Sequence, residues 1–599
     1  MTTQAQRLAF KLAVRERHDQ NYAQMLDARK ALAAYPLAEF YQYLWLSIHT
    51  EDLSAEEFSR ALDPITDSVW RTRLVDKRRE SLASQNQWQS ILALAPQADD
   101  CLYLRAYVET APEPNFGPIS HRLFEAYTDS RHHHCAKAFS TLIGRGSVPV
   151  SAWQARAVYA LERERDSVSD QALANADSAY LRQWRQAQRD PVAALDAAWL
   201  GQSEQWASRA ATQFLKSASR RDAAAAAQAW QRFAAKGWVD TELLPGLVHR
   251  AARADAPGLD ELALLATDKT GRSEFVFHVL RPALALGDYA KAKQVLKAID
   301  ADDRAIRYWR QRLNQLTGES YDLSQFQDGD DYYAWAAAYN AGLDYRPQWT
   351  VGPVDRIMLQ QFEQDPDVQL IGELLATGFP AEARRLWAQK VEGFDDISER
   401  TAAKIIDGWG WHERATATHG CRGLTGDVSW CFPRPYFDLV QANSEKYNVD
   451  RDWIYAIMRQ ESRFGWDLGS SAGAQGLMQL MPTTAEWMAE KVGMPYQRSM
   501  ILKPDVNVEL GVAYLSWLEG RSVHRAEQAA AYNAGPGNMR KWLTETSTPR
   551  DVWIETIPFD ETREYVKRVL ANRLNYCTRA GQGCRVLADA LFAPTDGAN

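Results

Sequence analysis

Leu286-Gly287-Asp288-Tyr289-Ala290-Lys291-Ala292 has the make-up of a junction inside a helix pair. The glycine closes one helix, the aromatic ring packs under the turn, and the small alanines let the next helix approach closely. Thr377-Gly378-Phe379-Pro380-Ala381-Glu382-Ala383 repeats the arrangement. Around these junctions the first 430 residues read as helix after helix. The Ala-rich run 222–235 has strong helix propensity and carries Trp230 and Phe233 at spacing three. No strand-type alternation is sustained over several segments. No strict period emerges either, so the expectation is an all-α chain whose N-terminal part is an irregular α-superhelix, a solenoid without a fixed repeat. The 22 tryptophans in 599 residues fit this reading as wedges between stacked helices.

Charge and proline divide the chain further. Arg346-Pro347 to Gly352-Pro353 marks one break, and Cys431-Phe432-Pro433-Arg434-Pro435 a sharper one, because its two prolines exclude a continuous helix. From Phe432 to Asn599 there are 19 Lys+Arg and 20 Asp+Glu, so the last part is almost neutral while the whole chain carries −8. The expected division is a superhelical domain over 1–350, a helical linker domain over 351–431, and an α-rich domain over 432–599. No run approaches 18 apolar residues, which excludes a membrane-spanning helix. Global acidity argues against a sequence-independent nucleic-acid binder.

Six cysteines fall into three neighbouring pairs, Cys101/Cys135, Cys421/Cys431 and Cys577/Cys584, although six allow fifteen connectivities. Local pairing fits an oxidising compartment; buried thiols in a reducing one are the alternative. Met1-Thr2-Thr3-Gln4-Ala5-Gln6 begins no apolar leader, so export implies that a signal peptide is absent from this sequence. His132-His133-His134-Cys135 is read as a polar face, since consecutive helical side chains diverge and do not converge on one ion. No metal and no cofactor is expected.

Residues that carry chemistry gather after Pro435. Asp450 is suited to cap a helix over 451–463. Ile454, Ile457, Met458 and Glu461 follow at i, i+3, i+4 and i+7, which puts Glu461 on the buried stripe near the helix C-terminus. Desolvation and the negative end of the helix dipole both penalise its carboxylate, and a carboxyl kept protonated is what a general acid requires. Taken alone, such a residue is also compatible with a paired structural carboxylate. Gly469-Ser470-Ser471-Ala472-Gly473-Ala474-Gln475-Gly476 is a small, Gly-rich loop that allows a bulky ligand close to its backbone. It runs into Leu477-Met478-Gln479-Leu480-Met481, after which Pro482 opens a helix. Ala531-Tyr532-Asn533-Ala534-Gly535-Pro536-Gly537 presents Tyr532 and Asn533 at a helix break, and a last long helix is expected over 561–576.

Taken together, Glu461-Ser462, Gly476-Leu477-Met478-Gln479, Ala531-Tyr532-Asn533-Ala534-Gly535, and Ile557-Pro558-Phe559 with Glu561-Thr562-Arg563 and Tyr565-Val566 occur in order over about 110 residues. In this the sequence resembles the large soluble lytic murein transglycosylases of the Gram-negative periplasm. A single string is weak: Ala338-Tyr339-Asn340-Ala341-Gly342 repeats the third inside the helical region, without its neighbours. The resemblance implies an N-terminal α-superhelix, a helical linker domain and a C-terminal goose-lysozyme-like domain. It also implies non-hydrolytic cleavage of the MurNAc–GlcNAc β-1,4 bond of peptidoglycan. By position, Glu461 is then the sole acid/base, Ser462 supports it, and Ser470, Gln479, Met481, Tyr532, Asn533 and Glu561 contact the sugars. The implied partners are peptidoglycan glycan strands, with cell-wall synthases as a further docking class and no nucleic acid. A lysozyme-type hydrolase and a non-enzymatic glycan-binding scaffold are the competing readings.

Overall fold

The computed structural model describes residues 4–96, 98, 100–126, 133–300, 302–419, 428–522, 524–543, 548–579, 584, 588 and 591. Among them every regular element is a helix, and β-type pairing is limited to isolated bridges Gly469–Gln475 and Gln475–Leu480. The all-α expectation therefore holds. The chain forms two compact units, Met1–Thr270 and Gly271–Asn599. The division falls inside the stretch read from sequence as superhelical.

Both quoted junctions fold as their residues suggest. Gly287 has φ +67° and separates the helices Phe277–Ala285 and Tyr289–Lys297, the second capped by Asp288 accepting from Lys291 N–H at 2.9 Å. Gly378, at φ +94°, ends Pro366–Thr377, and Pro380 opens Pro380–Lys390. In these left-handed positions any Cβ adds strain, so glycine is the residue that lets the chain reverse. Ala292 and Ala383 are fully buried, the close approach that their size permits.

Tryptophans form much of the core. Trp45, Trp70, Trp184, Trp309, Trp335, Trp387, Trp453 and Trp553 are almost completely buried. Trp70 sits 5.0 Å from the Phe40 ring and 5.4 Å from that of Tyr43, centroid to centroid. Buried rings of this size dominate core energetics, and truncating one to alanine costs about 3–5 kcal/mol. Disulfides join Cys101 to Cys135 and Cys577 to Cys584, two of the three neighbouring pairs. Cys421 and His132 lie outside the described residues. His134 Nε2 contacts Glu80 at 3.2 Å.

In the second unit, two buried carboxylates from the short helix Arg550–Glu555 bind helices far away in sequence. Glu555, with no exposed side-chain surface, contacts Lys567 Nζ at 2.9 Å and Arg281 Nε at 3.2 Å, and accepts from Trp309 Nε1 at 3.2 Å. Asp551 accepts from Arg312 Nε at 2.7 Å and from the Tyr308 hydroxyl at 2.5 Å. Residues 277–340 are thereby tied to the C-terminal helices.

Candidate active site

The helix Arg451–Ser462 is capped by Asp450, whose side chain accepts from Trp453 N–H at 2.6 Å. Ile454, Ile457 and Met458 are fully buried, and Glu461 follows one turn on, half-buried. The helix then stops abruptly. Arg463 (φ +48°) and Phe464 (φ +73°) are both left-handed, an unfavourable conformation for a phenylalanine. Its ring is buried against Tyr455, at 6.3 Å, and its N–H donates to Ser462 Oγ at 3.1 Å.

Ser462 is itself buried and donates to the Leu477 carbonyl at 2.7 Å. Its hydroxyl turns inward and ties the end of the helix that carries Glu461 to the Gly-rich loop. That loop is held by reciprocal backbone bonds between Gln475 and Leu480, at 3.0 and 3.1 Å, and by Gly476 N–H to the Leu468 carbonyl at 2.9 Å. Gly476 has φ +81°, and a Cβ there would meet Asn507 Nδ2 at 2.4 Å. The close neighbour for which this glycine makes room is a protein side chain. Asn507, fully buried, accepts from Met478 N–H at 2.8 Å and donates to the Ile501 and Gln475 carbonyls at 2.8 and 3.0 Å.

Two tyrosines complete the surroundings of Glu461. Tyr565 donates to Glu461 Oε1 at 2.6 Å, and Tyr532 donates to the Met478 carbonyl at 2.8 Å. Burial drives both phenols well above their usual range, with the Glu461 charge acting the same way. The Glu461 carboxyl is pushed up to about 8, first by burial; the Tyr565 hydrogen bond pulls down and the neighbouring charge of Glu561 pushes up. A protonated carboxyl at neutral pH beside a phenol donor is a competent general acid.

The remaining residues expected from sequence fall as follows. Glu561 is exposed in the first turn of the helix Asp560–Arg579, near enough for its charge to act on Glu461. Asn533 Oδ1 accepts from Thr562 Oγ1 at 2.6 Å, which joins the third motif to the fourth. Gln479, left-handed at φ +45°, donates through Nε2 to the Gly476 and Leu468 carbonyls at 2.8 and 3.1 Å. Met481 is exposed at the start of the helix Pro482–Val492. Ser470, also exposed, accepts from Ala474 N–H at 3.0 Å. From Tyr532 a series of rings, Tyr514, Trp517 and Trp487, leads outward with centroid spacings of 5.4, 5.9 and 4.8 Å.

Tyr565 belongs to the fourth motif, and its bond to Glu461 is seen only in the fold. It lies four residues after Glu561 on one helix, hence on the same face, which is the signal that marks it. Asp467, the acidic residue next after Glu461 in sequence, pairs with Arg384, which also donates to Glu413 at 3.2 Å. It is therefore taken up by a structural ion pair from the Pro380–Lys390 helix.

Comparison with known proteins gives three family matches. The Transglycosylase SLT domain matches 438–552, the Soluble lytic murein transglycosylase L domain 361–420, and the Soluble lytic transglycosylase helical domain 556–583. The soluble lytic murein transglycosylase of Escherichia coli K12 is 29% identical over 331 residues, 52% of this chain and 50% of that protein. The chain thus spans about half the length of the curated relatives it matches. The 70-kDa soluble lytic transglycosylase of E. coli superposes with a TM-score of 0.74, and the complex of the 70-kDa soluble lytic transglycosylase with bulgecin A with 0.76, each at 21% identity over 99% of this chain and 100% of that chain. The stretches 361–420, 438–552 and 556–583 are thus each similar to a domain of the soluble lytic transglycosylases.

Proposed function

We propose that the protein is a lytic transglycosylase that cleaves the MurNAc–GlcNAc β-1,4 bond of peptidoglycan without water. Glu461 acts first as acid, then as base. The observation that carries this reading is a single carboxyl held protonated up to about pH 8, with Tyr565 bonded to its Oε1. That bond leaves Oε2 to deliver the proton to the glycosidic oxygen as the bond from the anomeric carbon breaks. The muramoyl 2-acetamido oxygen then bonds the anomeric carbon, giving an oxazolinium-like intermediate. Finally the muramoyl 6-hydroxyl attacks that carbon, the acetamido oxygen leaves, and the hydroxyl proton returns to Glu461. The product carries a 1,6-anhydro-MurNAc end.

A two-carboxylate hydrolase requires a second acidic group beside the bond. Asp467 pairs with Arg384 and is withdrawn from that role, which leaves Glu561 as the second carboxylate near Glu461; the products of the digest below distinguish the two routes. In this proposal Ser470, Gln479, Met481, Tyr532, Asn533 and Glu561 line the sugar groove, and Ser462 positions the acid. The domain limits 1–350, 351–431 and 432–599, a periplasmic location and docking to cell-wall synthases belong to the same reading. Among the described residues no helix is long and apolar enough to cross a membrane. Mass spectrometry of one digest of isolated cell walls tests the chemistry. Anhydro ends support it; reducing-end MurNAc means hydrolysis and overturns it.

A further inference from the structure

The unit Met1–Thr270 contains a pocket of about 540 Å³ that no part of the proposed chemistry uses. It is walled by the end of the helix Val150–Glu162 with its following turn, by the last turns of Glu204–Ala218, and by Arg250 of Leu244–Arg253. Six cations line it: Arg163, Arg165, Arg209, Lys216, Arg220 and Arg250, against the two carboxylates Glu162 and Glu164. The lining is therefore net +4 in a chain of net −8.

Both carboxylates are occupied. Glu162 accepts two bonds from Arg209, at 2.5 and 2.8 Å. Glu164 accepts from Ser217, Arg220 and Gln213 at 2.6, 3.0 and 3.1 Å. Arg163 lies over the Tyr159 ring at 3.6 Å. By contrast, the side chains of Arg165, Lys216 and Arg250 have no hydrogen bond or ion pair with any described residue. Lys216 and Arg250 are half-buried. Each stands in the last turn of its helix, where the dipole stabilises a cation by about 0.3–1 kcal/mol. That accounts for a cation at each helix end, but not for unneutralised cations converging on one cavity.

We propose that this pocket binds a short peptide bearing several carboxylates. Guanidinium forks match carboxylates in pairs, and a cavity of this size falls in the range of ligand pockets. Glu162 and Glu164 on the wall oppose a densely charged phosphate polymer. They still leave acceptors for the N–H groups of a peptide. If the wall is the substrate, its peptide stems are a source of such ligands; the binding itself stands independently of Glu461.

The test is fluorescence anisotropy of the full chain with fluorescein-labelled tetra-glutamate. Binding that weakens with salt is expected, with labelled tetra-glutamine at least tenfold weaker. The combined Arg165→Gln, Lys216→Gln, Arg250→Gln variant is expected to lose at least about tenfold in affinity, while Lys216→Arg stays within about threefold. Circular dichroism monitors folding; should the triple variant misfold, exposed Arg165→Gln alone is expected to cost about threefold. No binding by the wild type, equal affinity for tetra-glutamine, or unchanged affinity in the folded charge-removal variants overturns the proposal. So does tighter binding of tripolyphosphate, which assigns the pocket to phosphate.

Discussion

At Glu461 the same burial that prepares the acid also weakens the fold. Its folded carboxyl titrates near 8, above an ordinary glutamate, so the folded state holds a proton that the unfolded state has released. Stability is unaffected below about pH 4.5 and falls as pH rises toward 8, with a slope of about 1.4 kcal/mol per pH unit. Glu461→Gln removes that slope. At pH 8 the variant is expected to be the more stable by on the order of 4 kcal/mol in urea unfolding, while clearing of cell walls drops at least about 100-fold. A variant no more stable at pH 8 refutes the buried-acid account; one that keeps its activity refutes the catalytic role. Tyr565→Phe acts on the other side of the balance. The hydrogen bond it deletes favours the ionised carboxylate, so the alkaline limb of activity moves to higher pH, and turnover falls about tenfold as the base step weakens. A limb that moves to lower pH contradicts this. The apolar stripe that buries Glu461 was legible in the sequence because it is local. The Tyr565 contact crosses 104 residues, and only the shared helix face with Glu561 hints at it.

Among the elements, the loop between Gly469 and Leu480 shows how a sound local reading misses its cause. Its glycines announce a close approach of something to the backbone. At Gly476 that neighbour is Asn507 from the helix Pro504–Glu519, which bonds Met478 N–H and the Gln475 carbonyl of the loop and the Ile501 carbonyl just before its own helix. Asn507→Ala leaves Met478 N–H and the Ile501 carbonyl buried without that partner, while the Gln475 carbonyl keeps the Leu480 N–H, a loss of about 3 kcal/mol in chemical unfolding. Activity is expected to fall with it, and the shape of the pH profile to stay as in the wild type, since the pKa of Glu461 does not depend on this amide. A shifted profile instead assigns Asn507 a direct part in the chemistry. Ser462 works in the same way at the other edge of the loop, bonding Leu477. Motif order placed these strings beside one another; which side chain faces the groove and which faces the core is decided by tertiary bonds. Those bonds have no sequence period.

For the whole molecule, the all-α fold, the helix-pair junctions and the buried tryptophans follow from local composition, whereas the division at Thr270/Gly271 does not. Helices at 277–340 look like more of the same solenoid, because Arg281, Tyr308, Trp309 and Arg312 reveal no destination in sequence. Their partners, Asp551 and Glu555, lie more than two hundred residues on. This makes a prediction about fragments. A chain of residues 432–599 keeps Arg563 and Lys567 beside Glu555 but deprives Asp551 of Arg312 and Tyr308. Breaking a buried ion pair by removing one side costs about 3–5 kcal/mol, a large share of the 5–15 kcal/mol that holds a typical domain together. Residues 271–599 keep every one of these contacts. That longer fragment is expected to unfold cooperatively, and 432–599 to melt about 10 °C lower or to remain unfolded. Replacing Asp551 by Asn in the short fragment removes the orphaned charge and is expected to recover part of the difference. Equal melting of the two fragments by circular dichroism refutes the role assigned to the buried carboxylates. A deficit that Asp551→Asn leaves unchanged traces the loss to apolar surface on the C-terminal helices, against the electrostatic account.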